Sequence, residues 1–144
     1  MSGRCAITST RVRFGETDAA GIVFYPTFFA WFDLGMQSLA RDGDTPAHTP
    51  GGQNVYPLPI VEAGATFLRP LMFDEPIEIV STVAHVGASS IRLEHEIRRG
   101  DTVIATGFEV RVFVTNKDTG IEKAPLPDDL RARLSEARTT HHAS

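Results

Sequence analysis

The stretch that decides the fold is FGETDAAGIVFYP, which runs from Phe14 to Pro26. Asp18 stands three positions before Gly21, a pattern that is typical of a tight turn. An apolar run follows, and Pro26 then suits the first turn of a helix, because an N–H at that position would be unpaired anyway. The stretch therefore predicts a carboxylate beside the backbone N–H groups of a helix N-terminus, an arrangement suited to attack on a polarised carbonyl.

The segment after Pro26 carries large apolar side chains at helical spacing, which predicts a helix over Thr27–Asp42 with one broad apolar face. Gly43 suits the end of that helix. The segment Gly43–Pro57 is rich in glycine and proline and is long for a connection within a compact domain, so we expect a functional loop or lid there.

The remainder of the chain is rich in β-branched and aromatic residues. A first strand is predicted over Ile7–Phe14. Four further strands are predicted after the loop, at Leu58–Leu68, Ile77–Val86, Ser90–Arg99 and Val103–Thr115. The pair Gly100-Asp101 is a tight hairpin signal. A short helix is expected from Pro127 to about Ala137, and the tail Thr139–Ser144 is expected to be disordered.

The fold class predicted from this order is α+β, because the strands and helices do not alternate as they do around a parallel sheet. A curved antiparallel sheet wrapped around one long central helix would bury the helix's apolar face. The 144 residues are expected to form one domain. We expect the ordered part to span residues 5–137 approximately, with a flexible C-terminal tail.

Composition and charge exclude several classes of protein. The formal charge of −4 argues against nucleic acid as a partner, which would require a basic face. Cys5 is the single cysteine, so no disulfide can form within the chain. Apolar runs stay well short of the ~20 residues of a membrane span, and a cytoplasmic location is expected. The histidines share no helical or strand spacing, so no metal site and no cofactor is predicted.

The motif and the order of elements resemble the hotdog-fold acyl-CoA thioesterases, specifically the 4-hydroxybenzoyl-CoA thioesterase-like family. The match lies in TDAAGIVFYP (residues 17–26) and WFD (31–33), with weaker echoes in LPIVE (58–62) and FLRPLMFD (67–74). The resemblance implies a hotdog fold and an acyl-CoA substrate. It also implies a homodimer or homotetramer with sites at subunit interfaces.

The resemblance also implies roles for individual residues. Asp18 corresponds to the family's catalytic carboxylate, and backbone N–H groups around Phe24 and Tyr25 correspond to the clamp on the thioester carbonyl. The residues expected to form the oxyanion and substrate-binding site are Gly21, Val23, Phe24, Tyr25 and Asp33. For Asp33, a solvated or helix-capping acid is the alternative interpretation.

Two departures from the family pattern bear on mechanism and on binding of the thiol carrier. Pro26 stands where many relatives have a histidine, so a histidine-assisted reaction is not available. The turn at 86–90 lacks the basic cluster of the 4-hydroxybenzoyl enzyme. Four arginines are left as candidates for the phosphates of the carrier, namely Arg69, Arg92, Arg98 and Arg99.

Thioester hydrolysis suits this minimal set of groups. A thiol with a pKa of about 8.5 leaves as thiolate without a general acid, and each oxyanion N–H donor contributes roughly 10²–10³ in rate. Asp18 is therefore predicted to act as the nucleophile or as a general base for water. The alternatives are a non-catalytic acyl-thioester binder and, in last place, a hydratase or dehydratase.

Overall fold

The computed structural model describes residues 3–41 and 56–144. Within this part of the chain there are two α-helices, α1 (Pro26–Ala40) and α2 (Asp128–Ser135), and a 3₁₀ turn at Phe14–Glu16. The strands are β1 (Cys5–Arg11), β2 (Ile60–Phe67), β3 (Pro76–Val86), β4 (Ser90–Arg99), β5 (Thr102–Val112), β6 (Val114–Lys117), β7 (Gly120–Lys123) and β8 (Thr139–Ala143).

Six strands form one curved sheet in the order β2-β5-β4-β3-β1-β8. Every neighbouring pair is antiparallel except β1 and β8. The β4–β5 hairpin turns at Gly100, where a φ of 60° favours glycine. The predicted α+β class and antiparallel sheet are therefore confirmed.

Helix α1 packs on the face of the sheet that the strand alternation makes apolar. In β3, for example, Ile77, Ile79, Ser81 and Val83 are buried, while Glu78, Val80 and Thr82 between them are more exposed. The helix lies close to this strand, because a Cβ on Gly35 would overlap the Ser81 hydroxyl. Burial of the aromatic helix face against the sheet forms the core that holds the start of α1 in place.

Several element boundaries differ from those that the sequence predicts. The helix begins one residue earlier than expected and ends at Ala40, because Arg41 adopts extended backbone. The first strand stops at Arg11, the last residue in register with β3, and Phe14 lies in the 3₁₀ turn. The predicted strand Val103–Thr115 is broken at Phe113, after which β6 pairs with β7 in a separate hairpin.

The tail also differs from expectation. Residues Thr139–Ala143 form β8, which pairs in parallel with Cys5–Ser9 of β1. The exposed edge of β1 supplies unpaired backbone groups that a short polar segment can satisfy. Strand pairing thus overrides the polar composition that predicts disorder.

The predicted loop or lid at Gly43–Pro57 lies outside the described residues, apart from Tyr56 and Pro57. Tyr56 connects the end of this segment to α2, since its hydroxyl donates to Asp129 Oδ2 at 2.7 Å. None of the helices in the described part of the chain has the length and apolar character that a bilayer-crossing segment requires.

Candidate active site

A small hairpin carries Asp18 and leads directly into α1. Its two arms meet where Thr17 pairs with Val23, and Phe24 N–H donates to Glu16 O at 2.9 Å. At the tip, Gly21 N–H donates to Asp18 O at 3.0 Å, and Asp18 N–H donates to Ile22 O at 2.8 Å. Gly21 has a φ of 84°, the left-handed conformation that such a turn requires.

The two carboxylate oxygens of Asp18 differ in their surroundings. Oδ1 accepts a hydrogen bond from Ala20 N–H at 2.8 Å, a local contact that stabilises the turn. Oδ2 has no hydrogen-bond partner among the described residues, and the side chain is exposed. Asp18 is therefore a turn former with one oxygen left for chemistry.

Tyr25 supplies the one uncommitted N–H at the junction between the hairpin and α1, as far as the described residues show. The N–H groups of Gly21, Val23 and Phe24 all donate to backbone carbonyls within the chain. Pro26 has no N–H, and Thr27 N–H donates to Phe24 O at 2.9 Å. Tyr25 N–H makes no such bond and sits at the N-cap of α1, where the helix dipole favours negative charge.

Glu16 holds the hairpin against α1. Its Oε1 accepts from Arg13 N–H at 2.7 Å, and its Oε2 accepts from Trp31 Nε1–H at 3.1 Å. Its backbone carbonyl accepts from Phe24 N–H and also, at 3.3 Å, from the Thr27 hydroxyl. The spacing between Asp18 and Tyr25 therefore depends on one partly buried glutamate, which the sequence analysis did not single out.

Aromatic rings surround the start of α1. The Tyr25 ring lies 6.3 Å from that of Phe67 and 5.5 Å from that of Phe24, between centroids. Phe67, at the end of β2, also lies 5.0 Å from Phe28. Phe67 is a site residue that sequence reasoning missed, because its contact with Tyr25 joins segments more than forty positions apart.

Most of the large exposed apolar side chains of the described residues lie on the segment that leads into α1 or on β2 and the turn after it. All except Ile121 lie in 14–25 or 60–73. The set consists of Phe14, Phe24, Tyr25, Ile60, Val61, Phe67, Leu68, Met72 and Phe73. Among the described strands, β2 is also an end strand of the sheet and has one unpaired edge. We call this set together with the free β2 edge the apolar surface.

Asp33 lies eight residues beyond Tyr25 on α1, about 12 Å along the helix axis. Its Oδ1 accepts from Arg111 Nη2–H at 2.9 Å, and its Oδ2 accepts from Gln37 Nε2–H at 2.9 Å. The side chain is 47% exposed. Asp33 is thus tied to the sheet by an ion pair, and its position along α1 separates it from the hairpin.

Arg111 connects Asp33 to a buried polar network in the sheet. Its Nη2–H also donates to Glu109 Oε2 at 2.9 Å, and Glu109 Oε1 contacts His95 Nε2 at 2.9 Å. The His95 Nδ1 lies 2.7 Å from the Ser81 hydroxyl, and the ring stacks on Phe32. The sequence does carry a signal for this network, because Ser81, His95 and Glu109 are polar residues at positions of alternating strands that face the core.

The pKa of Glu109 reflects two opposing effects. Burial raises it, but hydrogen bonds from His95 and Arg111 lower it, and the net result is a pKa below the usual value for glutamate. This buried carboxylate is therefore an ionised structural group. Among the described residues, no cluster of His, Cys, Asp and Glu has a geometry that could hold a metal ion.

Comparisons with known proteins agree with this architecture. A family model described as the thioesterase-like superfamily matches residues 12–134. The 1,4-dihydroxy-2-naphthoyl-CoA hydrolase of Synechococcus sp. (strain RCC307) is 30% identical over 90% of this chain and 100% of its own. The 4-hydroxybenzoyl-CoA thioesterase of Pseudomonas sp. (strain CBS-3) is 25% identical over 83% of this chain and 89% of its own.

Solved structures are also similar. That of a gentisyl-coenzyme A thioesterase has a TM-score of 0.76 at 32% identity, covering 90% of this chain and 99% of its own. A 4-hydroxybenzoyl-CoA thioesterase variant in complex with 4-hydroxybenzoyl-CoA has a TM-score of 0.79 at 24% identity, covering 92% of this chain and 100% of its own. The second comparison supports the fold.

The chain belongs to the thioesterase-like superfamily. Within it, the chain is a hotdog-fold thioesterase of the 4-hydroxybenzoyl-CoA thioesterase-like family, and it is a thioester hydrolase. The predictions of family, fold and enzyme class are thereby confirmed. The roles assigned to single residues stay predictions.

Proposed function

We propose that the protein hydrolyses acyl-CoA thioesters whose acyl group is a hydroxylated aromatic ring. One observation carries this proposal. Asp18 Oδ2 and Tyr25 N–H, both without a partner among the described residues, lie on the same short hairpin segment, whose position is fixed by its own backbone hydrogen bonds. The named relatives act on dihydroxynaphthoyl, hydroxybenzoyl and gentisyl thioesters, which are all hydroxylated aryl groups. The exposed rings of Tyr25 and Phe67 offer aromatic surface to such a group, and the buried Phe28 ring supports Phe67 from below.

In this mechanism Tyr25 N–H donates to the thioester carbonyl oxygen and to the oxyanion that develops from it. Asp18 either attacks the carbonyl carbon or removes a proton from an attacking water. The C–S bond breaks, and the electron pair leaves on the thiolate. In the nucleophilic branch, water then hydrolyses the mixed anhydride and regenerates the Asp18 carboxylate.

The two branches differ in where the product oxygen comes from if water cleaves the mixed anhydride at the Asp18 carbonyl carbon; attack at the acyl carbon of the anhydride would label the acid as direct hydrolysis does. A single turnover in heavy-oxygen water labels the first equivalent of acid if water attacks the thioester directly. An unlabelled first equivalent would require the oxygen to come from Asp18, which identifies nucleophilic attack. A labelled first equivalent is expected for the general-base branch.

A second copy of the chain completes the site in this proposal. Asp18 and Tyr25 are exposed in one protomer, and the apolar surface beside them is larger than solitary exposed side chains require. The free β2 edge favours pairing with an identical edge, which produces a two-fold dimer. We therefore propose a homodimer, with a tetramer as the alternative, in which the partner covers the aryl group.

The test is an acyl-CoA hydrolysis screen with a thiol-reactive dye. Wild type should release CoA from hydroxybenzoyl- or hydroxynaphthoyl-CoA, and Asp18→Asn should lower kcat by about 10²–10⁴. The asparagine amide oxygen still accepts from Ala20 N–H, so the turn and the unfolding temperature should be preserved. Asp101→Asn, in the β4–β5 turn, is the matched control and should keep full activity.

Unchanged turnover in Asp18→Asn would overturn the assignment of this residue. Saturable binding of acyl-CoA without release of thiol, over the whole panel, would replace the hydrolase with a non-catalytic binder.

A further inference from the structure

The sequence does not decide which residue binds the phosphate groups of the thiol carrier in the proposed function. Four arginines are candidates, and their surroundings in the structure differ sharply. The inference below rests on the proposed function, since it concerns how the same site holds the thiol portion of its substrate.

Three of these arginines are already committed to neighbours. Arg98 Nη1–H donates to Glu96 Oε1 at 2.7 Å, and Arg99 Nη1–H donates to Glu75 Oε2 at 2.6 Å. The guanidinium of Arg92 lies 4.4 Å from the centre of the Phe108 ring, and its Nε is 3.7 Å from Glu94 Oε1. A phosphate at any of these positions would compete with a neighbouring carboxylate for the guanidinium.

Arg69 differs from the other three. Its side chain is exposed, and its guanidinium has no carboxylate, carbonyl or ring partner among the described residues. Its backbone is held firmly, because the N–H groups of Leu68 and Arg69 both donate to Ile104 O, at 2.8 and 3.1 Å. The backbone of Arg69 is therefore fixed while its guanidinium is uncommitted. The guanidinium presents five N–H donors in a planar fork, a geometry that suits phosphate oxygens.

The location of Arg69 places it at the border of the candidate active site. Two residues before it, the Phe67 ring contacts the Tyr25 ring. Two residues after it, Leu71 O accepts from Val23 N–H at 2.9 Å. Two extended residues span at most about 7 Å, so the Cα of Arg69 lies within that distance of two residues that each contact the 23–25 segment. The long side chain starts beside the aromatic rings and extends toward solvent.

We propose that Arg69 binds the phosphate at the end of the pantetheine arm of the substrate. The arm would leave the Asp18–Tyr25 region past Phe67 and meet the guanidinium where the apolar surface gives way to solvent. Coenzyme A and a phosphopantetheine prosthetic group share this phosphate ester. Arg69 compensates for the basic turn cluster that is absent at 86–90.

The experiment compares Arg69→Gln, Arg69→Lys and wild type on three hydroxybenzoyl thioesters. These are the CoA thioester, the phosphopantetheine thioester and the pantetheine thioester, which has no phosphate. Lys123→Gln is the matched control, because it removes one exposed positive charge from the separate β6–β7 hairpin. Arg69→Gln should raise KM about tenfold for the two phosphorylated substrates, as expected for the loss of a charge-assisted hydrogen bond.

The remaining readouts separate binding from chemistry. In Arg69→Gln, kcat and the unfolding temperature should match wild type, and KM for the pantetheine thioester should be unchanged. Arg69→Lys should recover part of the KM because the charge remains. An effect on the CoA thioester alone would assign Arg69 to the nucleotide phosphates rather than to the shared ester. Equal KM changes on the pantetheine thioester, or none on any substrate, would overturn the proposal.

Titration of desulfo-CoA by calorimetry distinguishes this proposal from the proposed function. If wild type binds desulfo-CoA and Arg69→Gln binds it about tenfold more weakly, the phosphate site stands even without turnover. If wild type hydrolyses the substrates but both proteins bind desulfo-CoA equally, the phosphate site is wrong and the hydrolase stands.

Discussion

In the proposed mechanism the two carboxylate oxygens of Asp18 have different roles. Oδ1 closes the turn by accepting from Ala20 N–H, while Oδ2, the proposed reactive atom, has no hydrogen-bond donor among the described residues. An amide side chain preserves the first interaction and removes the nucleophilic or basic character of the second oxygen. Substitution to asparagine therefore separates chemistry from folding at this position, which few buried catalytic residues allow.

The lowered pKa of Glu109 predicts how the stability of the protein depends on pH. Its pKa in the folded state is lower than usual, so folding favours the ionised form. The stabilisation is fully present above the ordinary value of 4.5 and is lost as pH falls through the lower, folded-state pKa. Urea unfolding from neutral pH downward should show this loss in wild type, and the Glu109→Gln variant should lack that component.

Glu109→Gln should also be less stable at neutral pH by about 1–3 kcal/mol, since it removes the buried charge that His95 and Arg111 contact, while Asp33 still pairs with Arg111. Glu96→Gln, which alters the half-exposed pair with Arg98, is the control and should change stability by about 1 kcal/mol or less. If the free energy of unfolding of Glu109→Gln fell with decreasing pH as steeply as that of wild type, the pH dependence would not come from Glu109.

At the scale of elements, the hairpin and α1 behave as one unit because Glu16 bonds to both. It joins Arg13 N–H at the base of the hairpin to the Trp31 indole on the helix, while its carbonyl accepts from Phe24. A catalytic geometry that combines a turn carboxylate with a helix-start N–H requires such a connection. Without it, the turn could form locally and still be misplaced relative to the helix.

Glu16→Ala should therefore reduce both stability and activity. The loss leaves the Trp31 indole N–H unsatisfied, which costs about 1–3 kcal/mol, whereas the exposed Arg13 N–H can bond to water. The displaced hairpin should lower kcat for the CoA thioester. Thermal unfolding and thiol release measure the two effects. Glu122→Ala removes an exposed ion pair with Lys117 in β6–β7 and should change neither. Full activity in Glu16→Ala would show that the hairpin positions itself.

At the scale of the whole molecule, the six-stranded sheet of the described residues ends in β2 on one side and in β8 on the other. Both end strands have an unpaired outer edge, but β8 carries no large exposed apolar side chain. The exposed apolar side chains lie on and beside β2. This asymmetry directs association to the edge next to the candidate active site.

Val61→Lys should weaken that association and lower activity together, because a charged side chain on the β2 edge opposes pairing with a second copy. Light scattering over a dilution series measures the oligomer, and the same samples can be assayed for hydrolysis. Ile121→Lys makes the equivalent change at another exposed apolar residue, on β7, and should leave both unchanged. A fully active monomer of Val61→Lys would show that one protomer suffices.

Local sequence determined the parts of this protein that depend on neighbours along the chain. The Asp18–Gly21 turn follows from an Asx hydrogen bond and a glycine with positive φ. The core face of α1 follows from helical spacing, and β4 from strict alternation that ends at Gly100. Each of these rests on interactions within a few residues, so composition and period were sufficient to predict them.

Tertiary structure decided the features that join distant segments. The disordered tail was predicted from composition, yet the tail pairs with the opposite end of the chain because the β1 edge is open to it. The ring of Phe67 meets Tyr25, and Arg99 pairs with Glu75, twenty-four positions away. Arg69, by contrast, has no partner among the described residues. No local pattern specifies which strand edges and charges remain unpaired once the sheet has formed.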